Sequence, residues 1–123
     1  YRGFGKSNGK IQSEKQLYSD VQIVYDSLRK YYPENKIVII GYSIGTGLAT
    51  HLASENNPQK LILKAPYYSL EYLAKSYYHS VPSSFIRYKI PTFLYLPKVH
   101  CPITIFHGEN DQVIPIENSF KLQ

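Results

Sequence analysis

Residues 36–45, Lys-Ile-Val-Ile-Ile-Gly-Tyr-Ser-Ile-Gly, constrain the fold of this chain more than any other stretch. Ile37, Val38, Ile39 and Ile40 form a β-branched aliphatic run of strand length, apolar without alternation, as in a buried strand. It leads directly into Gly41-Tyr42-Ser43-Ile44-Gly45, and then into Gly47, Ala49 and Ala53 interleaved with Leu48 and Leu52. Strand, sharp turn and helix, with a serine at the apex, is the arrangement of a nucleophile elbow. Three fixed residues alone recur by chance, so the information lies in their position between an aliphatic run and a helix. Glycine costs a helix up to about 1 kcal/mol per site. Gly45 and Gly47 therefore need a reason, and close packing of the helix start on the strand it has just left supplies one.

The chain on either side has the same rhythm. Ser13 with Gln16 reads as a capping box. Leu17, Val21, Val24, Tyr25 and Leu28 form one stripe of an amphipathic helix that Pro33 ends. A second apolar run, Leu61 to Leu63, is halted by Pro66, and a third occupies Cys101 to Phe106. Between them, Ser69 to about His79 has helical spacing, with Leu70, Leu73, Tyr77 and Tyr78 on one face. Val81 to Lys98 is irregular and carries Pro82, Pro91 and Pro97 among aromatics. The expected fold is α/β: a parallel sheet of three strands, at about 36–41, 60–65 and 101–107, with helices on both faces. Residues 67–100 form a helical and irregular, lid-like segment. The ligand crevice of such a sheet lies beyond the carboxyl ends of its strands. Ser43 follows one strand and Asp111 another, so both belong to the same rim.

With 123 residues the chain suits one compact unit. It begins without Met inside a glycine-rich turn and stops as a helix begins, which reads as a piece of one longer domain, cut at both ends. The net charge of +5 comes from lysines scattered singly, with no basic run, so no nucleic-acid partner is expected. One cysteine excludes an internal disulfide and a cysteine-cluster metal site. No apolar run approaches the roughly 18 residues of a membrane span.

A serine hydroxyl becomes a useful nucleophile only with a base in hydrogen-bond reach, a carboxylate to orient that base, and donors where the oxyanion develops. The residue after an elbow serine lends its backbone N–H to that hole, here Ile44. Asp111, in a turn-rich loop after the third strand, suits the orienting carboxylate. Asp20 and Asp26 belong to the first helix, and Glu109 is less well positioned.

Four segments resemble the α/β-hydrolase superfamily, in particular its lysophospholipase-, monoacylglycerol-lipase- and depalmitoylase-like acyl hydrolases. Tyr1-Arg2-Gly3-Phe4-Gly5-Lys6-Ser7 resembles the R-G-x-G-x-S loop after the family's fourth strand, and Gly41 to Gly45 is its elbow. Lys64-Ala65-Pro66-Tyr67 resembles the end of the sixth strand. His107 to Pro115 resembles the H-G-x-x-D-x-x-V-P acid loop, with Ile114 in the valine's place. The resemblance implies a serine hydrolase that cleaves an ester or thioester through an acyl-enzyme, with Ser43 as nucleophile, Asp111 as triad acid and the Ile44 N–H as one oxyanion donor.

It implies no cofactor and no metal, and a small-molecule or lipid acyl substrate. A serine peptidase and a non-catalytic binding or regulatory domain of the same fold are the alternatives. The family's second oxyanion donor and catalytic histidine belong to segments upstream of Tyr1 and downstream of Gln123. Membrane association through such segments stays open, and localisation is unassigned between cytoplasm and membrane surface. Of the histidines present, His51 lies too far along the elbow helix. His79 and His100 flank the irregular segment, and His107 reads as a local support for the Asp111 loop. Alone, these 123 residues are expected to be catalytically silent and, with Ile37 to Ile40 an unpaired sheet edge, poorly soluble.

Overall fold

The computed structural model describes residues 2, 3, 5–78, 80 and 82–123. Helix α1, Glu14–Arg29, starts where the Ser13 side chain accepts a hydrogen bond from the Gln16 N–H. The box closes one residue early: the Gln16 side chain accepts from Gln12 N–H at 2.9 Å. The other elements follow in the order β1 Val38–Tyr42, α2 Gly45–Ser54, β2 Lys60–Lys64, α3 Leu70–Tyr77, α4 Thr92–Tyr95, β3 Ile103–Phe106 and α5 Glu117–Phe120. Short 3-10 turns cover Glu34–Lys36, Ser83–Phe85 and Leu96–Lys98.

The strands form one parallel sheet in the order β1-β2-β3, with Ile39 opposite Leu61 and Leu61 opposite Ile103. This is the expected α/β arrangement, with strand ends within two residues of those read from the sequence. The core lies on the face where Ile39, Leu61, Leu63 and Ile105 meet Tyr25 and Val21 of α1, Leu52 and Ala53 of α2, and Leu96, Val99 and Cys101.

The expected helical cover on both faces is present on that one. On the other, Ile40 is 62% exposed and Phe106 56% exposed, with Val38 and Tyr42 beside them. The sequence pattern of two-sided burial survives in those apolar side chains, but among the described residues no cover for them is supplied. The stripe of α1 also divides. Leu17 and Tyr25 are buried, whereas Val24 and Leu28 border the free edge of β1 and are exposed.

Gly41 brings strand and elbow helix together. A Cβ there would lie 2.7 Å from the Ala49 Cβ and 2.8 Å from the Thr46 Cα. Gly47 has a different reason from the one expected: it faces Tyr67 and Ile90, not the strand. Tyr67, fully buried, donates its hydroxyl to the Ile44 carbonyl at 3.0 Å and so holds the turn from behind.

Gly41→Ala is therefore expected to force β1 and α2 apart, at a cost of about 1–3 kcal/mol as in other overpacked cores. Urea unfolding of the protein expressed from its full reading frame measures this, and an unchanged midpoint would contradict so close an approach.

Candidate active site

Ser43 sits between β1 and α2 with a backbone φ of +50°. For a residue with a Cβ this left-handed conformation is uncommon and costly, and it persists only where its surroundings enforce it. Here they do so on both sides. The Ser43 N–H donates to the Lys64 carbonyl at 2.9 Å, continuing the pairing of β1 with β2. The Ser43 carbonyl accepts from the Thr46 N–H at 2.9 Å and from the Thr46 hydroxyl at 2.7 Å, which starts α2. Ser43 itself is half-buried, and Ile44, next in the chain, immediately precedes α2.

Asp111 lies in the loop after β3. One carboxylate oxygen, Oδ1, accepts from the N–H groups of Val113 and Ile114, both at 2.9 Å. These two bonds, that from Ile114 first, hold the carboxyl pKa below its ordinary value, so Asp111 is ionised at neutral pH. Its other oxygen faces His107 at 3.7 Å. A hollow of about 700 Å³ on the open side of the sheet has Tyr42, next to the elbow, and Asp111 in its wall. The turn after β1 and the loop of Asp111 thus border one space at the carboxyl rim, although Ser43 is not among the residues lining it.

The His107 side chain is only 3% exposed, and both ring nitrogens are engaged. Nε2 lies 2.6 Å from the Ile114 carbonyl, which can only accept, so this nitrogen carries the proton. Nδ1 lies 2.6 Å from the Ser119 hydroxyl and, in the neutral ring, accepts from it. The ring thus joins the acid loop to α5 and has no lone pair left for a base.

His51 stacks on Tyr18 with ring centroids 3.9 Å apart and meets Tyr95 edge-on, a packing role within the helical layer. His100 is exposed and precedes β3, at the rim opposite Ser43, and so stands too far away to serve it as a base. His79, with Tyr1 and Phe4 of the opening loop, lies outside the described residues. Within that loop, Arg2 forms a two-pronged ion pair with Asp20 at 2.9 and 2.6 Å, so Asp20 fastens the loop to α1. Among the described residues no group of three or more His, Cys, Asp or Glu side chains is gathered to hold a metal ion.

The family model described as "Serine aminopeptidase, S33" matches residues 1–92, a range that includes Ser43 and leaves out Asp111. The chain belongs to this family of α/β-hydrolases. Among similar members, the alpha/beta hydrolase domain-containing protein aho-3 of Caenorhabditis elegans is 32% identical over 124 residues, covering 99% of this chain and 36% of that protein. Lysophosphatidylserine lipase ABHD12 of Macaca fascicularis is 31% identical over 141 residues, covering 99% and 35%. An uncharacterized protein of Acanthamoeba polyphaga mimivirus is 33% identical over 143 residues, covering 99% and 49%. The chain therefore spans between about a third and a half of the length of these relatives.

Sequence reasoning missed one participant in the acid loop, Ser119. A serine in a short terminal helix carries no local sign that it will meet a histidine twelve positions earlier.

Two outcomes are expected for this loop. His107→Phe leaves the Ser119 hydroxyl and the Ile114 carbonyl without this partner and should cost roughly 1–3 kcal/mol in urea unfolding. Asp111, whose folded pKa is depressed, contributes stability above its unfolded pKa of about 3.9 and loses it as pH falls through the folded value. Asp111→Asn should therefore flatten the acid limb of a stability-against-pH curve, and an unaltered limb would contradict the assignment.

Proposed function

We propose that this is the nucleophile and acid portion of a serine hydrolase that cleaves a carboxylic ester or thioester through an acyl-enzyme. The observation that carries the reading is the left-handed backbone of Ser43 at a strand-to-helix junction, in a member of this family. The Ser43 Oγ attacks the carbonyl carbon as a histidine takes its proton, and the carbonyl π electrons move onto oxygen. The Ile44 N–H, at the start of α2, donates to that oxyanion, and removal of one such donor costs roughly 10²–10³ in kcat in other hydrolases. Collapse expels the alcohol or thiol, which takes the proton from the histidine. Water then repeats the sequence on the acyl-enzyme and releases the acid.

Asp111 orients the histidine and stabilises it as an imidazolium, using the Oδ2 oxygen that accepts no backbone N–H. The three histidines described here are engaged elsewhere or stand on the wrong rim, so in this reading the base comes from outside the described residues. No metal or cofactor enters the reaction.

The description of the family favours a peptidase as the second reading. Relatives named as lysophosphatidylserine lipases favour an ester, and a lipid or small-molecule acyl substrate with it.

A fluorophosphonate probe applied to the protein from its full reading frame should label Ser43 and leave Ser43→Ala unlabelled. Asp111→Asn should lower kcat by as much as about 10⁴ with the fold intact. A folded wild type that takes no label would exclude the serine mechanism and leave a binding role. Faster cleavage of aminoacyl anilides than of esters would select the peptidase.

A further inference from the structure

Two successive peptide groups hold Asp111. The Val113 and Ile114 N–H groups, which both donate to its Oδ1, belong to the peptide groups Gln112–Val113 and Val113–Ile114. Both are trans, so each directs its carbonyl away from its N–H. On that far side the two carbonyls meet one hydroxyl. Tyr77 donates to the Gln112 carbonyl at 2.8 Å and to the Val113 carbonyl at 2.7 Å, which share its single proton. The next carbonyl, that of Ile114, takes the Nε2 proton of His107. Three consecutive carbonyls of the loop are thus pinned by side chains.

Packing does not fix these peptide groups, because Gln112 is exposed and Val113 is 69% exposed. Their orientation rests on hydrogen bonds. If they turned, Asp111 would lose both donors and its carboxylate would be free to swing. A hydrogen bond to a carbonyl also polarises the amide and makes its N–H a better donor. Tyr77 therefore acts on Asp111 through the backbone between them.

Tyr77 belongs to the last turn of α3, a helix without a fully buried residue. Leu70 and Leu73 pack its first turn on the interior, and the N–H groups of Leu70 and Glu71 bond to the Lys89 carbonyl. The Tyr77 hydroxyl joins the other end of the helix to the loop of Asp111. We propose that Tyr77 is a positioning residue for the triad acid, and that through it the placement of Asp111 depends on where α3 lies. The inference rests on the serine-hydrolase reading and adds to it a control over the acid. Anything that lifts the end of α3 then loosens Asp111 without entering the site.

The test is Tyr77→Phe in the protein from its full reading frame, with Tyr78→Phe at the next, likewise exposed position as the control. In hydrolysis of p-nitrophenyl acetate, Tyr77→Phe should lower kcat by roughly ten- to a hundredfold with KM unchanged, since small misplacements of a catalytic group cost on that scale.

The second readout is urea unfolding against pH. Asp111 contributes stability above its unfolded pKa of about 3.9 and loses it as pH falls through the lower folded value. Peptide groups that turn away raise the folded value toward the unfolded one. Tyr77→Phe should therefore destabilise the fold more at neutral pH than below the folded pKa, which flattens the acid limb as Asp111→Asn does. Of the titratable groups around Asp111, His107 lies 3.7 Å from Oδ2, and Lys64 and Tyr42 share the wall of the hollow; the variant leaves all three in place. Tyr78→Phe should move neither kcat nor the limb.

An unchanged kcat in Tyr77→Phe overturns the positioning role. A curve lowered by the same amount at every pH overturns the route through Asp111, because loss of helix stability alone has that form. A wild type that hydrolyses no ester and takes no label at Ser43 overturns the hydrolase reading and the catalytic half of the inference with it. The acid limb then still decides whether Tyr77 holds Asp111.

Discussion

The approach of Gly41 to Thr46 and Ala49 is the constraint on which the rest depends. Because the strand carries no side chain at that point, α2 can start directly on β1, and the chain must reverse within Ser43 and Ile44. That reversal drives Ser43 into the left-handed region, and the Lys64 and Thr46 hydrogen bonds hold it there. The geometry of the candidate nucleophile is thus a consequence of strand-to-helix packing, and Tyr67 secures it from the far side through the Ile44 carbonyl.

Around that turn two groups of side-chain hydrogen bonds fix irregular backbone. Residues 11–14 and 87–90 are tied to one another, while His107, Ser119 and Tyr77 brace the acid loop. Both groups use polar side chains, from the enclosed His107 ring to the exposed Tyr77 and Arg87, to give bare N–H and C=O groups of irregular segments a partner. This is how a proline-interrupted stretch such as 82–98 remains compatible with a packed interior.

Much of this was legible in the sequence because it depends on local pattern. The aliphatic run into Gly41-Tyr42-Ser43 gives the strand and the sharp turn into a helix, Ser13 gives the start of α1, and the turn residues after Phe106 give the loop that holds Asp111. What escaped depends on contacts between distant positions. Gly47 is small because Tyr67 and Ile90 arrive from elsewhere, and the apolar Val24 and Leu28 remain exposed beside a free strand edge. Glu14 reads as an ordinary first-turn acid, favourable to the helix dipole. Nothing around it announces that its carboxylate will hold backbone 75 positions away.

Three non-glycine residues have positive φ among those described, and they cluster: Ser43 in the turn between β1 and α2, Ala65 just after the strand end that pairs with it, and Ile90, between α3 and α4, against Gly47. Each such conformation stores on the order of 1–3 kcal/mol. The folded state is therefore under tension in the one neighbourhood where chemistry is proposed, and glycine at position 43 would relieve part of it while deleting the hydroxyl. Serine at this turn thus carries its hydroxyl at an energetic cost that glycine, with no Cβ to crowd the backbone, would avoid.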